Sequence, residues 1–146
     1  MCGIIGISSN KSVSASIISS LKKLEYRGYD SAGIATLFEG EIKEVKSEGR
    51  VDTLEQNFDL KNLKGNIGIG HVRWATHGVP NSVNAHPHSS DNVSIVHNGI
   101  IENSTILKKV LEKKGYVFKS QTDTEVIAHL VTDYLKKKKL KNTKIK

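Results

Sequence analysis

Two apolar segments on either side of a short turn constrain the fold of this chain more than any other feature. Residues 31–38 and 41–46 flank the dipeptide Glu39-Gly40, and a glycine-containing connection of this length favours a β-hairpin. Residues 3–8 are apolar and β-branched, with Gly and Ser at their ends, and predict a buried strand. Strands joined by hairpins argue against a strict alternation of parallel strands and crossover helices.

The remaining strands and one long loop follow from apolar runs and turn residues. Residues 66–72 predict a strand in spite of Gly68 and Gly70, and residues 92–97 predict another. Between them, residues 75–91 are polar, contain both prolines and predict a long loop. A chain of 146 residues suffices for one domain with a single hydrophobic core.

Helical spacing occurs early in the chain. Ile17, Leu21 and Leu24 recur about one turn apart and predict a helix that begins at a cap on Ser12 or Ser14. This helix should end before Gly28. Residues 51–58 predict a second, shorter helix.

Two amphipathic helices are predicted in the last third of the chain. The second of them begins at Thr122-Asp123-Thr124-Glu125, which fits a capping box with Thr122 as the cap and Glu125 reaching back to it. The apolar positions that predict the two helices are Ile106, Leu107, Val110 and Leu111 in the first, and Val126, Ile127, Leu130, Val131 and Tyr134 in the second.

The net charge of +7 suggests a nucleic-acid partner, but its distribution does not. Seven of the 22 basic residues lie in residues 136–146, which leaves 15 basic and 15 acidic side chains in the other 135 residues. Apolar runs fall well short of the roughly 20 residues that span a bilayer, and no secretory signal opens the chain. We therefore expect no nucleic-acid partner, no membrane partner and a cytoplasmic location.

The only cysteine lies directly after the initiator methionine. Removal of Met1 would leave a thiol and a free α-amine on Cys2, and an N-terminal amine is an established base for activating a weak nucleophile. An isolated cysteine is also commonly a small, buried apolar residue. Its position alone leaves both interpretations open.

Four further residues suit an oxyanion hole and a site for an amino-acid substrate. Asn98 and Gly99 follow an apolar strand, where an amide and a backbone N–H could form an oxyanion hole, although Asn-Gly is also a favoured turn. Arg73 offers a two-pronged donor for a carboxylate, and Asp123 offers an anion for an ammonium group. The alternatives are a surface ion pair for Arg73 and a helix cap for Asp123.

Five histidines raise the alternative of a metal site, but no second cysteine or nearby glutamate accompanies them. We expect neither a metal nor a cofactor. The five residues are His71, His77, His86, His88 and His97.

Six sequence blocks, in order along the chain, resemble the class II glutamine amidotransferases, which are N-terminal-nucleophile hydrolases. They are similar above all to the glutamine–fructose-6-phosphate aminotransferase branch. Amidophosphoribosyltransferases, which are the alternative, tend to have Gln-His-Arg-Gly-Gln in place of residues 25–29 and Arg-Tyr-Ser-Thr in place of residues 73–76. The blocks are residues 1–7, 24–33, 71–78, 84–88, 96–103 and 122–129.

The resemblance implies a role for the residues at the reacting bond. Cys2 would form a glutamyl thioester and release ammonia, with its own amine as general base. Asn98 and Gly99 would supply the oxyanion hole, and Arg27 would brace the nucleophile. Trp74 would stand where ammonia passes to an acceptor domain.

The resemblance also implies how L-glutamine is held. Arg73 would bind the α-carboxylate, with Thr76 and His77 beside it, and Asp123 would receive the α-ammonium group. No metal or cofactor is implied for this half-reaction.

The implied fold is α+β, a four-layer αββα sandwich that is incomplete here. We expect residues 1–146 to be the N-terminal portion of the amidotransferase domain, without the sugar-phosphate isomerase domains that bind fructose 6-phosphate in a homodimeric parent. The chain would then be a truncated gene, a partial sequence or a fragment. An inactive remnant that retains the motifs is the alternative from a different functional class.

Overall fold

Four strands in the first half of the chain form an antiparallel sheet. The structure is a computed structural model, and it describes residues 1–76 and 78–143. Short 3₁₀ turns at Glu25–Arg27 and Leu60–Asn62 join the main elements. Those elements are β1 (Gly3–Ser8), α1 (Ser14–Leu24), β2 (Ser31–Phe38), β3 (Glu41–Glu48), α2 (Val51–Asn57), β4 (Ile67–Arg73), β5 (His88–Ser90), β6 (Val93–Ile95), α3 (Ser104–Glu112) and α4 (Glu125–Thr143).

The strand order of the large sheet is β1-β4-β2-β3, and every neighbouring pair is antiparallel. The predicted hairpin is confirmed, since β2 and β3 pair from Phe38–Glu41 at the turn back to Ser31–Glu48. The strand predicted at residues 3–8 is also confirmed, but its predicted burial is wrong. β1 lies at the sheet edge, and Ile4 is 41% exposed.

The main core lies on one face of this sheet, under α1 and α2. Ile17 and Leu21 of α1 are fully buried there together with Ile34 of β2. Gly68 and Gly70 occur within β4 because Ile17 lies so close to that strand. A Cβ added at either glycine would come within 2.7 or 2.6 Å of an Ile17 carbon.

The opposite face of the sheet is covered by the segment that leads into β5. The carbonyl of His86 lies over Gly33 of β2, where an added Cβ would be 2.2 Å from the oxygen. β5 and β6 form a two-stranded antiparallel sheet, α4 packs on both of them, and α3 packs on α4. The layer order is helices, sheet, sheet, helices, and the predicted α+β class is confirmed.

The two predicted serine and threonine caps are wrong. Val13 occupies the cap position of α1 without a side-chain cap bond, and its backbone N–H donates to Gly65 O at 3.0 Å. At the start of α4, Thr122 Oγ1 bonds His88 Nε2 at 2.9 Å instead of capping the helix. Glu125 accepts the backbone N–H groups of Lys119 and Ser120 at 2.9 and 2.7 Å. Buried partners from other segments have displaced the local capping bonds.

Strand boundaries differ from the prediction around the long loop. β6 ends at Ile95, two residues earlier than expected, and β5 lies inside the predicted loop of residues 75–91. The consequence for the site is that residues 96–99 leave the sheet.

Among the described residues, no helix is long and apolar enough to cross a bilayer.

The close approach over Gly33 gives a prediction about stability. Gly33→Ala should lower the free energy of unfolding by about 1–3 kcal/mol, because the new methyl group forces the His86 segment away from β2. Gly6→Ala is the matched control, since Gly6 lies in the same sheet and its added Cβ would meet nothing nearer than 3.9 Å. Denaturant titrations of both variants measure the difference. Equal stabilities would contradict the packing argument.

Candidate active site

The N-terminus lies beside the end of β4 because β1 pairs with β4 from Gly3–Val72 onward. Cys2 therefore reaches the backbone of Trp74, the first residue after β4. The Trp74 N–H donates to Cys2 Sγ at 3.3 Å, and the thiol lies 3.6 Å from the Trp74 carbonyl oxygen. These two contacts fix the sulfur at the mouth of a pocket.

Two side chains converge on the carbonyl oxygen of Cys2. Arg27 Nε donates to it at 2.9 Å, and Asn98 Nδ2 donates to it at 3.4 Å. Arg27 comes from the 3₁₀ turn after α1, and Asn98 comes from the segment after β6. The two side chains hold the backbone of Cys2 and bring the Asn98 amide next to the sulfur-bearing residue.

A pocket of about 360 Å³ opens beside Cys2 and gathers most of the predicted site residues. Arg27 touches Cys2 from outside the lining, and His77 lies outside the described residues. A larger groove of about 650 Å³ on the outer side of α1 contains none of the predicted site residues and has the Lys22–Glu55 ion pair on its wall. The predicted residues that line the smaller pocket are Cys2, Arg73, Trp74, Thr76, Asn98, Gly99 and Asp123.

The pocket carries a buried cation and an anion. Arg73 is only 4% exposed, and its guanidinium lies 3.5 Å from the carbonyl oxygens of Gly78 and Val79. Desolvation lowers the pKa of Arg73, while its electrostatic interactions with Asp30, Cys2 and Asp123 oppose that shift. Opposite charges in one small pocket suit a zwitterionic ligand.

Asp123 is held in place by the backbone that follows Gly99. Its Oδ2 accepts the N–H of Ile101 at 2.6 Å, and Thr124 Oγ1 lies 3.5 Å from its Oδ1. The start of α4 is thereby tied to the segment that carries Asn98 and Gly99. The bond leaves Asp123 on the pocket lining.

Asp30 is a residue whose role the sequence did not reveal. Its carboxylate accepts the backbone N–H of Ala75 and the hydroxyl of Ser31, the latter at 3.1 Å. Its own N–H donates to Arg73 O at 3.2 Å. Asp30 thus fixes the backbone on both sides of Trp74. An acid directly before a buried strand was the available signal.

Three of the histidines form a buried cluster, and one of them, His86, also lines the pocket. The rings of His71 and His86 lie 4.2 Å apart, and those of His86 and His88 lie 4.7 Å apart. Burial lowers the pKa of His71 to about 4 and that of His88 to about 3, and it lowers the pKa of His86 as well. All three rings are therefore neutral at pH 7. Within residues 1–76 and 78–143, no group of three or more His, Cys, Asp or Glu side chains is arranged to hold a metal ion.

Comparison with known sequences shows that this chain is similar to a defined class of domain. The profile of the glutamine amidotransferase domain matches residues 71–144. A glutamine–fructose-6-phosphate aminotransferase of Mesorhizobium japonicum is 58% identical over 137 residues, which are 94% of this chain and 23% of that protein. Its counterpart in Pyrococcus horikoshii is 56% identical over 138 residues, again 23% of its length. The chain thus spans less than a quarter of either relative.

A solved structure supports the same fold. The glutamine phosphoribosylpyrophosphate amidotransferase of Bacillus subtilis superposes with a TM-score of 0.75 at 34% identity, over 90% of this chain and 29% of that one. The aminotransferases named above are more similar in sequence than this structural relative.

Proposed function

Because this chain belongs to the glutamine amidotransferase domain family, we propose that it hydrolyses L-glutamine to L-glutamate and ammonia with Cys2 as the nucleophile. The observation that carries the proposal is one pocket that holds a thiol, an amide beside a glycine, a buried guanidinium and a carboxylate. The proposed substrate has a matching group for each of them.

The proposed chemistry begins when Met1 has been removed. The free α-amine of Cys2 takes the thiol proton, and the thiolate attacks the side-chain amide carbon of glutamine. The resulting oxyanion accepts the Asn98 Nδ2–H and the Gly99 N–H. The position of Asn98 supports this role, since its Nδ2 lies 3.4 Å from the carbonyl oxygen of the nucleophilic residue.

Collapse of this intermediate breaks the carbon–nitrogen bond. The protonated α-amine donates its proton to the leaving nitrogen, which departs as ammonia and leaves a thioester on Cys2. Water then attacks the thioester with the same amine as base, and glutamate leaves as the thiol is restored. Every proton taken by the amine is returned, so no metal or cofactor enters the scheme.

The two ends of the amino-acid backbone require separate partners. Arg73 presents its guanidinium to the α-carboxylate, and Thr76 lines the same pocket. We assign His77 to the same end from the sequence alone. Asp123 attracts the α-ammonium group. Trp74 is 51% exposed at the rim and packs edge-on against Tyr29, 6.1 Å away, which suits a residue on the exit path of ammonia.

In the whole protein, we propose that the ammonia aminates fructose 6-phosphate. The 58% identity to a glutamine–fructose-6-phosphate aminotransferase supports this acceptor. An acceptor of the phosphoribosyl type is the second candidate, supported by the structural likeness at 34% identity. The larger sequence identity favours the first.

The test of the proposal is ammonia and glutamate release by the purified chain, together with one variant of the substrate grip. Arg73→Lys should raise the KM for L-glutamine by about tenfold or more, because a point charge replaces a two-pronged donor in a buried site. Coupled assays of glutamate formation over a range of glutamine concentrations measure the change.

Arg50→Lys is the matched control for that variant. The Arg50 side chain is 63% exposed and lies over the Tyr29 ring, outside the pocket. The KM of the Arg50→Lys variant for L-glutamine should therefore equal that of the unaltered chain. Absence of glutamate release above the Cys2→Ala background would refute the activity. Equal KM values for both arginine variants would refute the assigned substrate grip.

A further inference from the structure

The segment that carries the oxyanion-hole residues has no place in a sheet. β6 ends at Ile95, and residues 96–99 continue beyond it toward Cys2. In the described part of the chain, no backbone–backbone hydrogen bond reaches residues 97–99. Asn98 and Gly99 are both exposed. Something other than strand pairing must therefore hold this segment at a fixed distance from the thiol.

Two buried histidine side chains take the place of a strand partner. His71 Nε2 lies 3.2 Å from the carbonyl oxygen of His97, and the backbone N–H of His97 donates to His86 Nδ1 at 3.4 Å. Both backbone groups of the residue before Asn98 are thus bonded to imidazole nitrogens. The bond to His71 is the shorter of the two.

We propose that His71 and His86 are positioning residues that clamp the backbone of His97 and thereby place Asn98 and Gly99 opposite the Cys2 thiol. This inference deepens the glutamine hydrolysis proposed above and rests on it for its catalytic consequence. Neither imidazole acts on the substrate in this role. His71 does not line the pocket at all.

The ring of His97 contacts both the oxyanion-hole segment and the start of α4. Its Nδ1 bonds Oγ1 of Thr124, the residue directly after Asp123, at 3.2 Å. Its Nε2 lies under Gly99, where an added Cβ would be only 2.7 Å away. A shift of the His97 backbone would therefore move the oxyanion hole and disturb the start of α4 together.

The hydrogen bonding of the two His71 ring nitrogens supports a positioning role. Donation to the His97 carbonyl requires a proton on Nε2, which leaves Nδ1 as a bare lone pair. That Nδ1 is buried and has no hydrogen-bond partner among the described residues. A buried acceptor without a partner is unfavourable, and an apolar side chain would fill the same space without that cost. The bond from His71 Nε2 to the His97 carbonyl is therefore the interaction that favours an imidazole over an apolar side chain at this position.

The rigid surroundings of the two rings make the clamp precise. His71 lies on β4 in the centre of the sheet and is fully buried, and His86 stacks on it at 4.2 Å. The His86 carbonyl rests directly on Gly33. Neither imidazole has room to follow a displaced His97.

Two variants at one position separate positioning from packing. His71→Leu keeps the volume but removes the donor, and it should lower kcat for glutamine hydrolysis by about 10²-fold with little change in KM. His71→Gln places an amide N–H at a similar reach and should recover most of that loss. A kcat that is unchanged in His71→Leu, or equally low in both variants, would overturn the proposal.

His129→Leu is the control for loss of a buried histidine. Its Nε2 is buried without a hydrogen-bond partner, although it lies 3.5 Å from Glu125 Oε1, and its Nδ1 bonds Ser90 Oγ, away from the pocket. In a thermal melt, His129→Leu should lower the melting temperature about as much as His71→Leu does. Its kcat for glutamine hydrolysis should equal that of the unaltered chain. If His71→Leu does not fold, His71→Asn, whose amide is too short to reach His97, replaces it in the comparison with His71→Gln.

A second measurement does not depend on turnover. Side-chain ¹⁵N NMR of the unaltered chain should show His71 as the neutral Nε2–H tautomer at pH 7, with a hydrogen bond from the His97 amide to His86 Nδ1. A proton on His71 Nδ1 would overturn the clamp whether or not glutamine is hydrolysed. Correct tautomers in a chain that does not release glutamate would instead refute the proposed activity and leave the clamp intact.

Discussion

Replacing Cys2 with alanine is expected to lower glutamine hydrolysis by at least about 10⁴-fold, the largest effect that we predict for any single side chain. Cys2 is the only cysteine in the chain, so no other thiol can form the thioester. The loss should lie in kcat, because the proposed contacts of Arg73 and Asp123 with the two ends of the substrate do not involve the sulfur. Rates of glutamate release measure it directly.

Two controls connect this result to the thiol itself. A glutamine analogue with an electrophilic side-chain carbon should add once to the unaltered chain and not to Cys2→Ala, as read from intact mass. The same spectra should show that the species that reacts has lost Met1, since a peptide bond at Cys2 removes the basicity of the amine. An active species that retains Met1 would contradict the mechanism, and residual hydrolysis by Cys2→Ala would contradict the nucleophile.

Local patterns sufficed for much of the fold. The β2–β3 hairpin depends on a turn between neighbouring segments, and its position follows from Glu39-Gly40 alone. The burial of β1 could not be obtained in this way, because it depends on where the strand lies in the sheet. β1 is an edge strand whose only neighbour in the sheet is β4, and Ile4 is paired there with His71, 67 residues further along the chain.

The capping errors have a similar origin. Thr122 followed three residues later by Glu125 is a good local signal for a helix start. In the folded chain, His88 lies 2.9 Å from the Thr122 hydroxyl, and Ser120 takes the Glu125 carboxylate at 2.7 Å. A distant residue, His88, takes the Thr122 hydroxyl, and the loop just before the helix takes the Glu125 carboxylate. The periodicity of the sequence does not reveal either partner.

The candidate site was predicted largely through the resemblance, and the geometry adds the supporting residues. The bracing role that the resemblance implies for Arg27 stays a prediction, and the structure adds a bond from its Nε to the Cys2 carbonyl at 2.9 Å. Asp30 and His71 received no role from the sequence, because each acts on the backbone of a residue that is remote along the chain or outside any motif spacing. Hydrogen bonds of this kind become visible only with coordinates.

Asn98→Ala is expected to lower kcat by about 10²–10³-fold, with a smaller change in KM. The amide of Asn98 would bond the oxyanion only after the thiolate has attacked, so its removal affects the transition state more than the bound substrate. Ground-state contacts at Arg73 and Asp123 remain. The start of β1 also stays in place, because Arg27 Nε still donates to the Cys2 carbonyl at 2.9 Å.

Asn103→Ala is the matched control for this substitution. Asn103 is exposed five residues further along, at the cap position of α3, and its side chain makes no capping bond. Its removal should leave kcat, KM and the melting temperature close to those of the unaltered chain. If Asn98 only shapes a turn, Asn98→Ala should instead lower the melting temperature and keep kcat, since a turn residue stabilises ground and transition states alike. A stable Asn98→Ala variant with a kcat several hundredfold lower would therefore assign the amide to the oxyanion, whereas an unchanged kcat would assign Asn98 to the turn.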